Sequence, residues 1–205
     1  MIQGNIYFVE QDGTISDDVC ALLSANGYNV VLFRSGEEFL DRWDRSLEGC
    51  LLLDIRLPGL SGIELLGRIS DSARVLPVIM FTSVMDMQLA VQATKNGVYD
   101  YCPKNFAPEV LLAKISEAMR VNRERLSKMS NHVKTIQAIA SLTDREREIL
   151  HFLCEGKSSK KIGQELGISS YTVDNHRARI MSKMGVNSVT KIVQMTLSAR
   201  NNQGT

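Results

Sequence analysis

Five short, almost wholly apolar runs, each followed by a helical pattern, limit what the first 121 residues can become. The runs are Ile6-Tyr7-Phe8-Val9, Val30-Val31-Leu32-Phe33, Leu51-Leu52-Leu53, Val78-Ile79-Met80-Phe81 and the shorter Tyr99 to Cys102. Between them, Asp12 to Asn26 carries Ile15, Val19, Leu22 and Leu23 at helical spacing and stops at Gly27. Ser35 caps a predicted helix containing Phe39, Leu40 and Trp43, and Ile63, Leu66 and Ile69 mark another after the Pro58-Gly59 and Ser61-Gly62 loop. A fourth spans about Asp86 to Asn96, closed by Gly97, and a last one begins near Pro108. Strands that are apolar on both faces must be covered on both faces, which predicts a parallel sheet in an α/β layer fold. Such sheets carry their chemistry beyond the carboxyl ends of the strands.

From Ala107 the helical pattern runs on unusually far. Ile115, Met119, Asn122, Leu126, Met129, Val133, Ile136 and Ala140 alternate at spacings of four and three, a heptad seam. Ile115 and Met119 are expected to pack on the first domain, and the later positions to pair two subunits as a coiled coil, with a linker folded onto its own domains as the alternative. Then come Thr143-Asp144-Arg145-Glu146, the signature of a capping box, and a helix to Gly156. A helix over about Ser159 to Leu166, a Gly167-Ile168 turn, a helix capped by Ser169 and running to Met184, and a fourth over about Ser188 to Ala199 complete a helix-turn-helix pattern.

The halves differ in charge. Residues 1–121 hold 10 Lys+Arg against 16 Asp+Glu, and residues 122–205 hold 14 against 7. A basic half of this kind suits a polyanion. No apolar run approaches the roughly 20 residues of a membrane span, and Met1 to Asn5 has no signal-peptide character. Cys20, Cys50, Cys102 and Cys154 form no C-x-x-C pair and read as buried thiols of a reducing cytoplasm.

On the third helix of the basic half, Val173, Ile180 and Met184 form a core stripe. Tyr171, Asp174, Asn175, Ala178 and Ser182 lie opposite, polar or small enough to enter a major groove. Asn175 suits adenine, Asp174 cytosine, and Ala178 a thymine methyl. Arg179 and Lys183 flank this face and suit phosphates, and Lys157, Lys160 and Lys161 are placed for the backbone. Arg177 lies nearer the buried stripe but still belongs to the candidate contact set, and His176 reads as structural.

At the carboxyl ends of the strands stand Glu10 and Asp12, then Asp54, Thr82-Ser83 and Lys104. Carboxylates with one lysine and one hydroxyl suggest phosphoryl chemistry: a carboxylate attacks, Mg²⁺ neutralises charge, and lysine and hydroxyl hold the oxygens. All three histidines, His132, His151 and His176, fall outside this region, which disfavours Ser/His/Asp catalysis.

Two resemblances sharpen this reading. Leu142-Thr143-Asp144-Arg145-Glu146-Arg147-Glu148-Ile149-Leu150, Leu166-Gly167-Ile168-Ser169, Thr172-Val173 and His176-Arg177 resemble the LuxR-type helix-turn-helix, which implies sequence-specific binding of double-stranded promoter DNA, usually as a homodimer on an inverted repeat. Leu53-Asp54-Ile55-Arg56-Leu57-Pro58-Gly59-Leu60-Ser61-Gly62 is similar to the segment around the phospho-accepting aspartate of two-component receiver domains. That resemblance gives Asp54 the acceptor role, Thr82 and Tyr101 the switch roles, Lys104 the role of the family's lysine, and the Arg56 backbone carbonyl a metal-ligand role. The chain as a whole resembles a FixJ-type response regulator, whose members take a phosphoryl group from a sensor histidine kinase, dimerise, and act with RNA polymerase. The resemblance implies a flavodoxin-like, doubly wound receiver with a five-stranded parallel sheet over 1–121, a helical linker over 122–141, and an all-α four-helix DNA-binding domain over 142–205.

Two positions depart from the family. Gln11 stands where a second acidic Mg²⁺ ligand is expected, with Glu10 and Asp12 as neighbours, and a neutral amide is the weaker ligand. Asn105 replaces the proline after the lysine, so the loop there is expected to differ, a cis bond to a non-proline costing about 2.5–4 kcal/mol. The alternative reading is therefore a degenerate receiver that regulates DNA binding without phosphorylation, through constitutive dimerisation or another ligand. Phosphatase turnover of the haloacid-dehalogenase type is disfavoured, since Arg56 occupies the position of its acid/base aspartate.

Overall fold

A computed structural model describes residues 3–44, 47–73, 76–83 and 87–201. The chain divides into two compact units, Met1–Leu126 and Ser127–Thr205. In the first, β1 (Gly4–Val9), β2 (Tyr28–Phe33), β3 (Cys50–Leu53), β4 (Val78–Thr82) and β5 (Asp100–Pro103) form one parallel sheet in the order β2-β1-β3-β4-β5. Helices α1 (Gly13–Ala25), α2 (Gly36–Asp41), α3 (Gly62–Ala73) and α4 (Met87–Lys95) connect the strands, and α5 (Pro108–Ala140) follows β5. Successive strand residues point to opposite faces, and both faces are filled. Tyr7, Val9, Leu51, Leu53 and Met80 pack with Phe39, Leu65 and Leu66 on one side. Ile6, Phe8, Leu52, Ile79 and Phe81 pack with Val19, Leu23, Leu111 and Ile115 on the other.

Helix α2 is shorter than its apolar spacing suggests: Trp43 lies beyond its end and stacks against Phe39 at a ring separation of 5.3 Å. Asp86, the expected start of the fourth helix, lies outside the described residues.

Helix α5 contributes to both units. Ile115 and Met119 are buried in the first unit, as the pattern required. Asn122 is buried there as well, its Oδ1 accepting from the Gly49 backbone amide at 3.0 Å. That corrects its place in the heptad seam, because the amide satisfies a backbone donor of its own domain. Beyond it the side chains face otherwise: Met129 is 55 %, Val133 44 % and Ile136 36 % exposed.

In the second unit the end of α5 joins α6 (Asp144–Cys154), α7 (Ser159–Leu166), α8 (Ser170–Lys183) and α9 (Val189–Asn201) around Leu142, Ile149, Leu150, Leu153, Ile162, Val173, Ile180 and Ile192. Thr143, Ser158 and Ser169 cap the starts of α6, α7 and α8, and Thr143 with Glu146 closes the capping box in both directions. A Cβ at Gly163 would lie 2.6 Å from the Ile168 carbonyl oxygen, so only glycine lets α7 approach the turn that closes the motif. No helix among the described residues is long and apolar enough to cross a membrane.

Lys183 is a staple of this domain. Its Nζ donates to buried Glu146 at 2.7 Å and to the Ser141 carbonyl at 3.1 Å, joining the end of α8 to the start of α6. The ammonium and the Thr143 amide hold the Glu146 carboxyl below its ordinary range. Lys183→Met is expected to destabilise the second unit by about 1–3 kcal/mol, because it strands a buried carboxylate; thermal or urea unfolding measures this. In the wild type the unfolded chain takes up the Glu146 proton first. The stabilisation is thus complete above the ordinary glutamate range and lost as pH falls through the lower folded value, a slope that Lys183→Met should flatten.

Candidate functional site: a carboxylate pocket and a nucleic-acid face

The pairing of β1 with β3 places Val9 beside Leu53, so the next residues, Glu10 and Asp54, emerge side by side. The Asp54 amide donates to the Val9 carbonyl at 3.0 Å. Behind Asp54, a Cβ at Gly62 would lie 2.0 Å from the Asp54 carbonyl oxygen, so the start of α3 can close on this loop only as glycine. Glu10, Asp54 and Thr82 are all buried. The Lys104 Nζ lies 2.5 Å from Glu10 Oε2 and donates to Asp54 Oδ2 at 2.8 Å. Burial alone would depress the Lys104 pKa. The bonds to Asp54 and Glu10 outweigh it and raise the value, so the ammonium stays charged.

One positive charge thus serves two buried carboxylates. Among the described residues, buried Asp54 Oδ1 has no hydrogen-bond partner, and no donor is aligned on Glu10 Oε2 beyond its ionic contact with Lys104. This local excess of negative charge and lone pairs fits a cation. The ligand set is sparse, however. Asp12, expected beside Glu10, turns its Oδ1 onto the Thr14 and Ile15 amides at 3.0 and 3.3 Å and caps α1, so its carboxylate is used by the helix start. Gln11 is exposed. Among the described residues no group of three or more His, Cys, Asp or Glu side chains converges on a metal position.

Around the pocket, the Lys104 amide donates to the Thr82 carbonyl at 3.0 Å. Half-buried Tyr101 donates from its hydroxyl to the Ala90 carbonyl of α4 at 2.7 Å. The described residues contain no cis peptide bond, so the Lys104–Asn105 bond is trans. One contact had no signal in the sequence: Arg56 Nη2 donates to Ser83 Oγ at 2.7 Å, tying the loop after β3 to the loop after β4.

In the second unit, Val173, Ile180 and Met184 are buried on α8, and Tyr171, Asp174, Asn175, Ala178, Arg179 and Ser182 are exposed. Tyr171, at 74 % exposure, stands well clear of the domain. Lys160 and Lys161 are exposed and, like Arg179, form no ion pair with any described residue. Three other expected backbone contacts are committed within the domain. Lys157 pairs with Glu155 and Glu165 at 3.0 and 2.8 Å and covers the Phe152 ring at 4.3 Å. Lys183 is held by Glu146. Arg177 pairs with Asp174 at 3.1 Å and also donates to Ser159 Oγ. Each basic side chain found a carboxylate within a turn or across a helix contact, which spacing along one helix does not reveal.

Comparison with known proteins agrees with both halves. Residues 6–116 match the response regulator receiver domain family, and residues 140–196 match the LuxR family of bacterial regulatory proteins. The transcriptional regulatory protein FixJ of Bradyrhizobium diazoefficiens is 36 % identical over 198 residues, 96 % of either chain. The transcriptional regulatory protein TdiR of Thauera aromatica is 33 % identical, over 94 % of this chain and 85 % of its own. Among solved structures, the response regulator StyR superposes with a TM-score of 0.81 at 32 % identity, covering 95 % of this chain and 98 % of its own. Full-length FixJ from B. japonicum gives 0.60 at 34 %, covering 97 % and 98 %. With a receiver fold at one end, a helix-turn-helix at the other, and relatives matched along nearly their whole length, the chain belongs to the two-component response regulators with a LuxR-type DNA-binding domain.

Proposed function

We propose that Asp54 accepts a phosphoryl group from a sensor histidine kinase and that this raises the affinity of a homodimer for a promoter site in the cytoplasm. The observation that carries the reading is the state of Asp54: Oδ2 is held by Lys104, and Oδ1 is buried with no hydrogen-bond partner among the described residues, which leaves its lone pairs for attack. Asp54 Oδ1 forms the new O–P bond as the N–P bond of the phosphohistidine breaks, and the imidazole leaves with the electron pair. Lys104 stays charged beside the acceptor and neutralises the transferred group. Mg²⁺, when bound, neutralises the charge that builds up on the transferring oxygens. Glu10, Asp54, the Arg56 carbonyl and the Gln11 amide are the groups to hold it, a set with two carboxylates and hence weak affinity.

The output follows from two anchors on one side of the pocket. Thr82 turns toward the phosphoryl oxygens, and Tyr101, which now holds the Ala90 carbonyl of α4, moves with it. Two chains then pair through Met129, Val133 and Ile136, the part of the heptad stripe that α5 leaves exposed. On DNA, α8 enters the major groove with Asn175 and Ala178 toward the bases, and Lys160, Lys161 and Arg179 meet phosphates. RNA polymerase is the partner that a promoter-bound activator requires. No observation favours the phosphorylation-independent alternative.

Asp54→Asn should abolish acyl-phosphate formation from a small phosphodonor, read on phosphate-affinity gels, and with it the rise in DNA affinity. Labelling that persists in this variant overturns the assignment. Gln11→Asp should tighten Mg²⁺ binding by about tenfold through the added charge, measured by calorimetry on the unphosphorylated protein. Val133→Asp should shift phosphorylated protein toward monomer in analytical ultracentrifugation while leaving the receiver's melting unchanged. Asn175→Ala should relax base preference more than general affinity. Lys160→Ala, Lys161→Ala and Arg179→Ala should each lower binding to specific and random duplexes alike and reduce the salt slope by about 1.

A further inference from the structure

The geometry points to Asp174 as a specificity-determining residue for a C·G pair in each half-site, with Ser159 and Arg177 as its positioning residues. This rests on the reading that α8 enters the major groove. A carboxylate is an odd choice for a face that approaches phosphates, and Asp174 is exposed beside Asn175 and Ala178. Its surroundings explain how it is tolerated. The Ser159 hydroxyl, on the first residue of α7, donates to Asp174 Oδ1 at 2.7 Å. Arg177, one turn along α8, donates from Nη1 to the same oxygen at 3.1 Å and to the Ser159 oxygen. An exposed ion pair of this spacing adds little to stability. What the three-way contact does is fix one rotamer, because a single oxygen takes both bonds from two different helices.

Both bonds end on Oδ1, and no described group donates to Oδ2. The side chain therefore presents one lone-pair-bearing oxygen, held in place, on the reading face. Such a group accepts and never donates. In the major groove guanine offers acceptors at N7 and O6, and thymine an acceptor at O4, so both repel it. Adenine sets an acceptor, N7, beside its amino group. Cytosine alone presents an amino donor and no acceptor of its own on the major-groove edge, so the held oxygen favours cytosine. Arg177 balances the carboxylate's charge, and this is why it is not available as a phosphate clamp.

The test uses full-length protein and a duplex recovered by selection from a randomised pool, followed by duplexes changed one position at a time. The expected result is one position per half-site where replacing C·G lowers affinity about tenfold or more. Asp174→Asn should erase that preference, an amide being able to donate as well as accept. Ser159→Ala and Arg177→Lys should reduce it severalfold with random-duplex affinity and salt slope unchanged, and Ser159→Thr should restore it. If Arg177→Lys or Arg177→Ala instead weakens specific and random duplexes equally and lowers the salt slope, Arg177 is a phosphate contact and the inference falls. It also falls if the selected site shows no C·G requirement that depends on Asp174. A protein that binds no duplex at all overturns the α8 reading itself, an outcome distinct from either.

Discussion

Two buried carboxylates sharing one ammonium set the terms for the receiver. Glu10 and Asp54 are brought together by the register of β1 against β3, and Lys104 reaches both from the loop after β5. Like charges a few ångströms apart in a buried site are costly, and one cation offsets only part of that cost. The pocket therefore sits in a state that further positive charge relieves. A metal ion does so directly. On the proposed function, transfer of a phosphoryl group to Asp54 would rearrange the same balance, giving the lysine a new partner and leaving Glu10 to be compensated otherwise. The neighbouring Thr82 and Tyr101 lie on β4 and β5, the strands next in order, and Tyr101 is bonded to the Ala90 carbonyl of α4.

The rest of the receiver exists to keep those groups in place. Helix α3 closes on the Asp54 loop because Gly62 has no side chain, and α1 begins where Asp12 caps it. The capping explains why an acidic residue adjacent to the pocket does not join it. A helix start needs an acceptor for its free amides, and Asp12 is the nearest one. Its place beside Glu10 suggests a metal ligand, and only the backbone direction after β1 shows Asp12 to be the cap of α1.

The case of Asp12 marks how far the sequence was legible. The five strands, helix starts at Ser35, Thr143 and Ser169, and the buried stripe of Val173, Ile180 and Met184 all follow from local rules, and each is present. What local rules miss is the partner of a polar side chain. Asn122 lies in a heptad position yet serves Gly49, 73 residues away. Arg56 reaches Ser83, and Lys183 reaches Glu146. Gly163 carried no signal, since the carbonyl it accommodates belongs to the following turn. Periodicity reports which face is buried, whereas pairings depend on how separate elements meet.

The same distinction changes the meaning of the basic half. Residues 122–205 carry 14 Lys+Arg against 7 Asp+Glu, a surplus that invites a smeared electrostatic picture of DNA binding. The pairings concentrate it. Lys157, Arg145, Arg147, Arg177 and Lys183 each face a carboxylate of their own domain; the Lys183 pair joins α8 to α6 and the Lys157 pair joins the α6–α7 loop to α7, whereas the three arginine pairs lie within one helix. Among the described residues, the charge on the α7–α8 side that meets no such partner lies in Lys160, Lys161 and Arg179. A phosphate can recruit these three without breaking an existing bond, whereas recruiting Lys183 would strand the buried Glu146. The proposed DNA affinity and the fold thus draw on separate basic residues. On the proposed function, the α8 face between them, with Asp174 held by Arg177, would be left to discriminate bases rather than to supply attraction.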